Sequence, residues 1–274
     1  MSATDADARS LDELTRPTRV ATGEGRATFS LDVPAGWRQG RGAFGGLCIA
    51  SLVRAIEATV ADPARRVRSV TAELPGPVDA GAADIAVEIL RAGNAVTTAR
   101  AVLSQANGIK SHAVAVVAAT RKSADAAWQD LAPPSAPAWS ELAAVPDLGF
   151  PEFARHFEYR IVEGIPGSSG ASRAIGWVRA RDPGAARDSA YIAAMCDVWW
   201  PASLVRFDRM RPAATIAYTL DIVGTLEGLD PEAPLLYRGV VPVMRDGYFL
   251  ETRELWGSDG RLIAVNHQTF ALLG

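Results

Sequence analysis

Apolar positions recur with a period near four in "GRGAFGGLCIASLVRAIEATV", residues 40–60, where Phe44, Cys48, Leu52 and Ile56 line one side. That spacing predicts a helix opened by paired glycines, with Arg54 and Glu57 on its wet side. The preceding "RATFSLDVP" alternates and predicts a strand, while residues 1–25 read as a poorly ordered arm. Four alternating segments follow the helix, "VRSVTAELPG", "ADIAVEILRAG", "AVTTARAVLSQANG" and "IKSHAVAVVAATR", with Gly or Asn turns between them. Residues 122–151 are rich in Pro and Ala and read as a linker holding at most a short helical turn.

The same order then returns. "HFEYRIVEG" and "SRAIGWVRARD" read as strands, "RDSAYIAAMCDVWW" as a helix, and "ATIAYTLDIVGTL", "APLLYRGVVPVM", "DGYFLETRELWGSDG" and "RLIAVNHQTFALL" as a second meander. Laid over one another, the halves match Leu47 with Tyr191, Thr71 with Thr219 and Gly108 with Gly260. The implied plan is α+β: a helix laid across a curved antiparallel sheet, occurring twice, each helix covering the apolar face of its sheet.

Composition narrows the function classes. The 274 residues are 49% apolar with a net charge of −3, and no polybasic run suits nucleic acid. No long uncharged apolar run or signal-like N-terminus appears, so the expectation is a cytoplasmic protein without a membrane span. Cys48 and Cys196 lie in apolar patterns and read as reduced core thiols. No GxSxG elbow and no HxxxH or HExxH spacing occurs; "GSSGAS" reads as a turn, and His112, His156 and His267 lack nucleophile partners. No metal is expected from these spacings, and the partner sought is a small molecule.

The segments "WRQGRGAFGGLCIASLVRA", "LRAGNAVTTARAVLSQANG", "GWVRARD", "TLDIVGTL" and "ELWGSDGRLIAVNHQ" together resemble the TesB-like acyl-CoA thioesterases, over roughly residues 26–273. The resemblance implies a double hotdog with an N-terminal hotdog at 26–121 and a C-terminal one at 152–274. It also implies hydrolysis of an acyl-CoA thioester by water, without metal or cofactor, and leaves a homo-oligomer open. An Asp near the end of the second helix, a Thr on the next strand and a Gln on the last strand form the family's catalytic set. Asp197 in "MCDVWWP", Thr219 in "YTLDI" and Gln268 in "NHQTF" match it.

The repeat supports one site per chain independently. Asp197 and Gln268 answer to Val53 and Val116 in the first half. Burying an unpaired carboxylate or amide costs several kcal/mol, so these polar groups should meet in one cluster. A carboxylate desolvated there and stabilised by hydrogen bonds would be ionised yet basic, and a Gln can donate to it while accepting from water. The plainer readings are an Asp bonding local amides, a satisfied core Gln and an ordinary strand Thr. Strict alternation sets Thr219 with Ala217 and Asp221, away from the helix unless a bulge intervenes. Gly45 and Gly46 are candidates for substrate binding through backbone amides that receive an oxyanion, or simply relieve crowding. Trp200 is the third substrate-binding candidate, as an indole covering Asp197. Arg38, Arg41, Arg206, Arg209 and Arg211 are candidates for coenzyme phosphates or solvated surface charges. A binding protein of the same fold with little hydrolytic activity is the alternative function, and a hydratase of this fold lacks its paired Asp and His.

Overall fold

The computed structural model describes residues 9–121, 127–147, 149, 151–230 and 232–273. The first half runs β1 (Thr18–Gly23), β2 (Arg26–Val33), the short hairpin β3 (Arg38–Gln39) and β4 (Gly42–Ala43), α2 (Gly45–Val60), then β5 (Arg65–Glu73), β6 (Gly81–Ala92), β7 (Val96–Gln105) and β8 (Gly108–Ala119). The second runs β9 (Phe157–Glu163), β10 (Arg173–Ala180), α3 (Ser189–Met195), α4 (Ser203–Arg206), β11 (Ala213–Ile222), β12 (Leu235–Arg245), β13 (Tyr248–Trp256) and β14 (Leu262–Leu272). Twelve strands form one antiparallel sheet in the order β1-β2-β6-β7-β8-β5-β11-β14-β13-β12-β10-β9. The order of one half mirrors that of the other about the β5–β11 seam.

Thr71 faces Thr219 across that seam as register partners, their hydroxyl oxygens 3.4 Å apart. Residues that the internal repeat makes equivalent are thus neighbours, as a pseudo-twofold axis through this point requires. The same axis brings α2 against α3.

Helix α2 is enclosed up to its last turn: every residue from Gly45 to Ile56 is buried. The expectation of a wet side at Arg54 fails, because Arg54 is 8% exposed and pairs with Asp12 at 2.8 Å and Asp188 at 2.6 Å. Asp12 belongs to α1 (Leu11–Leu14), whose Ser10 and Glu13 form a capping box and whose Leu11 and Leu14 enter the core. Residues 9–25, expected as a loose arm, are therefore fixed by apolar burial, the Arg54 pairs and the β1–β2 ladder.

Helix α3 is shorter than its sequence pattern predicts. Asp188 caps it by accepting from the Tyr191 amide at 3.0 Å, and it stops at Met195 rather than reaching Trp200. The Asp197 amide reaches back to the Ala194 carbonyl at 3.0 Å, the i to i−3 bond of a tightened last turn. The freed Cys196 carbonyl accepts from Nη1 of Arg253 at 3.0 Å. In the linker region the single helical feature among the described residues is a 3-10 turn at Trp139–Glu141. "GSSGAS" is a turn, held by the Gly167, Ser169 and Gly170 amides to carbonyls of 204–207.

Candidate active site

Asp197 lies in the turn after α3, 3% exposed. Nε2 of Gln268 donates to Asp197 Oδ1 at 3.0 Å and to Asn266 Oδ1 at 3.0 Å, using both of its protons. Asn266 is itself held by donating to the Thr219 carbonyl at 2.7 Å. Oε1 of Gln268 accepts from the Thr215 hydroxyl at 3.1 Å. Gln268 is 1% exposed, so its amide is locked with the nitrogen toward the carboxylate and one acceptor lone pair to spare.

Thr219 is not in this cluster. Its neighbour Tyr218 points toward the helices, donating to the Ala193 carbonyl at 2.9 Å, and Thr219 shares the opposite face with His267. The β11–β14 register slips between Thr215 and Ala217, where Ile216 is the extra residue. The slip restores Thr215 to the inner face and makes it the threonine that reaches Gln268.

The α2 N-terminus, from the other half, closes the far side of the carboxylate. Phe44 stands at the N-cap without a capping side chain. A Cβ on Gly45 would lie 2.9 Å from Asp197 Oδ2, and one on Gly46 would lie 2.8 Å from the Ala194 carbonyl oxygen. Only glycine lets this helix end approach so closely. The Gly46 backbone amide at this helix start, with the helix dipole, favours the charged form of the carboxylate. The Gly45 amide donates to Gln39 Oε1 over a longer 3.3 Å.

A set of buried polar groups absent from the sequence expectations lies beneath Asp197. On β13, Glu251 and Arg253 face inward in step with Phe249 and Leu255. Nη1 of Arg253 is 3.6 Å from Asp197 Oδ1, and its Nε donates to Glu251 Oε1 at 3.0 Å. Tyr237 donates to the same Glu251 oxygen at 2.8 Å, and the Ala202 amide donates to the other at 3.1 Å. Burial pushes the Asp197 carboxyl above the ordinary carboxylate range, while Arg253, Gln268 and the Gly46 amide oppose that rise. Burial also raises both thiols, Cys48 to about 12, so each stays a protonated core group.

The remaining candidates lie elsewhere. Trp200 is past the end of α3; its Nε1 donates to the Gly164 carbonyl at 3.1 Å and its ring packs on Trp199 and Tyr159. The adjoining Trp199 is enclosed in the core. Arg38, Arg41, Arg206, Arg209 and Arg211 are all exposed. His112 pairs with Glu73 at 3.3 Å, and His156 stacks on Trp37 and meets the Gly36 carbonyl. Among the described residues no group of three His, Cys, Asp or Glu side chains is arranged to hold a metal, and no helix is long and apolar enough to cross a membrane.

Two family models match the sequence: the acyl-CoA thioesterase N-terminal domain over residues 33–121 and the acyl-CoA thioesterase C-terminal domain over residues 128–272. The chain belongs to the acyl-CoA thioesterase family. Its fold is the double hotdog, and its family supports hydrolysis of acyl-CoA thioesters in general terms. A hot dog protein of unknown function from Alicyclobacillus acidocaldarius is similar at 22% identity and a TM-score of 0.85, with 96% of this chain and 98% of that one covered. A TesB protein from Mycobacterium avium subsp. paratuberculosis gives 20%, 0.75, 96% and 98%. An acyl-CoA thioesterase II from Mycobacterium marinum gives 20%, 0.74, 96% and 98%. At such identities these thioesterase structures share the fold with this chain. No match was found among curated proteins.

Proposed function

We propose that this protein hydrolyses an acyl-CoA thioester with a water held by Asp197 and by Gln268, whose amide Thr215 fixes. The observation that carries the proposal is the 3.0 Å bond from Gln268 to a buried Asp197, with Thr215 fixing the other end of the same amide. Water donates one hydrogen to an Asp197 carboxylate oxygen and the other to the spare lone pair of Gln268 Oε1. Its oxygen is thereby turned toward an acyl carbon. Asp197 takes a proton as that oxygen bonds to the carbonyl carbon. The tetrahedral species then expels the coenzyme sulfur, and the Asp197 proton passes to the departing thiolate. The products are a free acid and CoA.

The negative charge on the carbonyl oxygen needs a donor, and the Gly45 amide is the one we assign. Its bond to Gln39 is long, so the substrate oxygen would take the place of the Gln39 side chain. An amide in this role supports a rate gain of about 10²–10³.

Free-thiol release from a panel of acyl-CoAs tests the proposal. The wild type should release CoA, and D197N should lose about 10³-fold or more. Tight acyl-CoA binding with equal background release from wild type and D197N would instead make the protein a binder of acyl thioesters.

A further inference from the structure

Arg253 is a guanidinium with 1% of its side chain exposed, and Glu251 beside it has none exposed. Burying such a pair is rarely favourable for stability alone, because desolvation offsets most of the attraction. Here the pair adjoins the only residue assigned as a base. Arg253 spans two parts of the Asp197 turn, donating to the Cys196 carbonyl at 3.0 Å and standing 3.6 Å from Asp197 Oδ1. Its Nε side is anchored to Glu251, which Tyr237 and the Ala202 amide hold in turn. The guanidinium is therefore fixed in place beside the turn that carries the base, just past the end of α3.

We propose that Arg253, locked by Glu251 and Tyr237, is a positioning residue that fixes the Asp197 turn and keeps the carboxylate ionised when substrate excludes water. The inference builds on the catalytic reading of Asp197 given above. Arg253 need not touch substrate. Its positive charge favours the ionised carboxylate, while the charge of Glu251, one step farther, tempers that effect so that Asp197 remains basic enough to accept a proton.

The other titratable groups around Asp197 leave this assignment to Arg253. Cys48 on α2, Cys196 in the turn, Tyr159 on β9 and Tyr218 on β11 feel the field of Asp197, and Tyr237 on β12 bonds to Glu251. Each is pushed above its ordinary value by burial and so stays neutral through the working range. Arg253 and Glu251 are the charged groups that set the carboxylate's ionisation, with opposite signs.

Opposite signs give the experiment. The acid limb of the kcat–pH profile reports the base in the substrate complex. Removing only the arginine charge risks misfolding, so the double variant R253M/E251Q is compared with E251Q and R253K, with folding of each checked by thermal melts. The acid limb should rise by about one pH unit in R253M/E251Q, fall in E251Q, and remain close to wild type in R253K. A structural role for the pair would lower activity without moving the limb, and an unmoved limb in both R253M/E251Q and E251Q would overturn the inference. Hydrolysis by D197N at the wild-type rate would overturn the catalytic reading itself. The D197N control therefore separates the two failures.

Discussion

The Thr215 hydroxyl donates to Gln268 Oε1 across 3.1 Å, although register pairs Thr215 with Phe270 and Gln268 with Tyr218. One extra residue at Ile216 creates this relationship, by turning Thr215 to the same face as Tyr218. T215V removes the hydroxyl and frees the amide to rotate. Activity should fall about 10²-fold, the scale expected when a positioned group loses its geometry, and T215S should recover most of it. T219V should leave the rate near wild type, since the Thr219 hydroxyl faces Thr71 on the opposite face. Thiol release by the three variants, measured side by side, checks the assignment.

The same bulge shows where the sequence could be read and where it could not. Helix α2, the repeated meander and the equivalence of Thr71 with Thr219 follow from periodicity and internal repetition, which burial enforces over many residues. Asp197 and Gln268 stood out because valines occupy their positions in the first half. Thr215 did not, because an irregularity of one residue leaves no trace in an alternating pattern and shifts every later parity judgement. Arg253 and Glu251 were legible in principle, sharing parity with Phe249 and Leu255. Their burial has no sequence signature, because alternating charges on a hairpin strand usually mark a solvated face. Arg54 misled for the same reason: its partners Asp12 and Asp188 are 42 residues before it and 134 after it.

Ionisation of Asp197 should cost the fold stability. Its carboxyl is raised from 3.8 by burial, so between that value and the raised one the folded chain holds a proton that the unfolded chain has released. The associated stability is complete below the unfolded value and is lost as pH rises through the folded one. The melting temperature of the wild type should therefore fall relative to D197N as pH rises from 3.8 through the raised folded-state value, and level off above it. Calorimetry on both proteins across that range isolates this carboxyl, because other titrations cancel in the difference. A constant difference would mean that Asp197 titrates alike in both states.

Two adjacent glycines should respond differently to one added methyl group. In G45A the new Cβ meets Asp197 Oδ2 at 2.9 Å and Leu74 Cδ2 at 3.4 Å, so it presses on the carboxylate. Alanine also favours the helix by about 1 kcal/mol, which offsets part of the strain. In G46A the Cβ meets the Ala194 carbonyl oxygen at 2.8 Å and the Phe44 ring at 2.5 Å, forcing α2 from α3. G46A should lose about 1–3 kcal/mol of stability. G45A should lose activity by about tenfold or more with little change in melting. Denaturant titration and thiol release on both variants distinguish the two effects.

Arg54 joins three parts of the chain that are remote in sequence. Its guanidinium meets Asp12 at 2.8 Å and Asp188 at 2.6 Å, and its Nε donates to Thr15 at 2.9 Å. Removing one partner of a buried pair leaves the others desolvated, so R54M should cost about 3 kcal/mol. The loss should depend little on salt, because a pair enclosed by protein is poorly screened. Asp12 retains Arg16 at 2.7 Å, so D12N should cost less than R54M, and the double variant should cost less than the sum of the two. Arg54 lies nine positions along α2 from Gly45, so activity per folded molecule should stay near wild type. Urea titrations at low and high salt, with thiol release measured well below the midpoint, test all of these. Additive losses for R54M and D12N would show that the Arg54–Asp12 pair does not couple the N-terminal segment to α2.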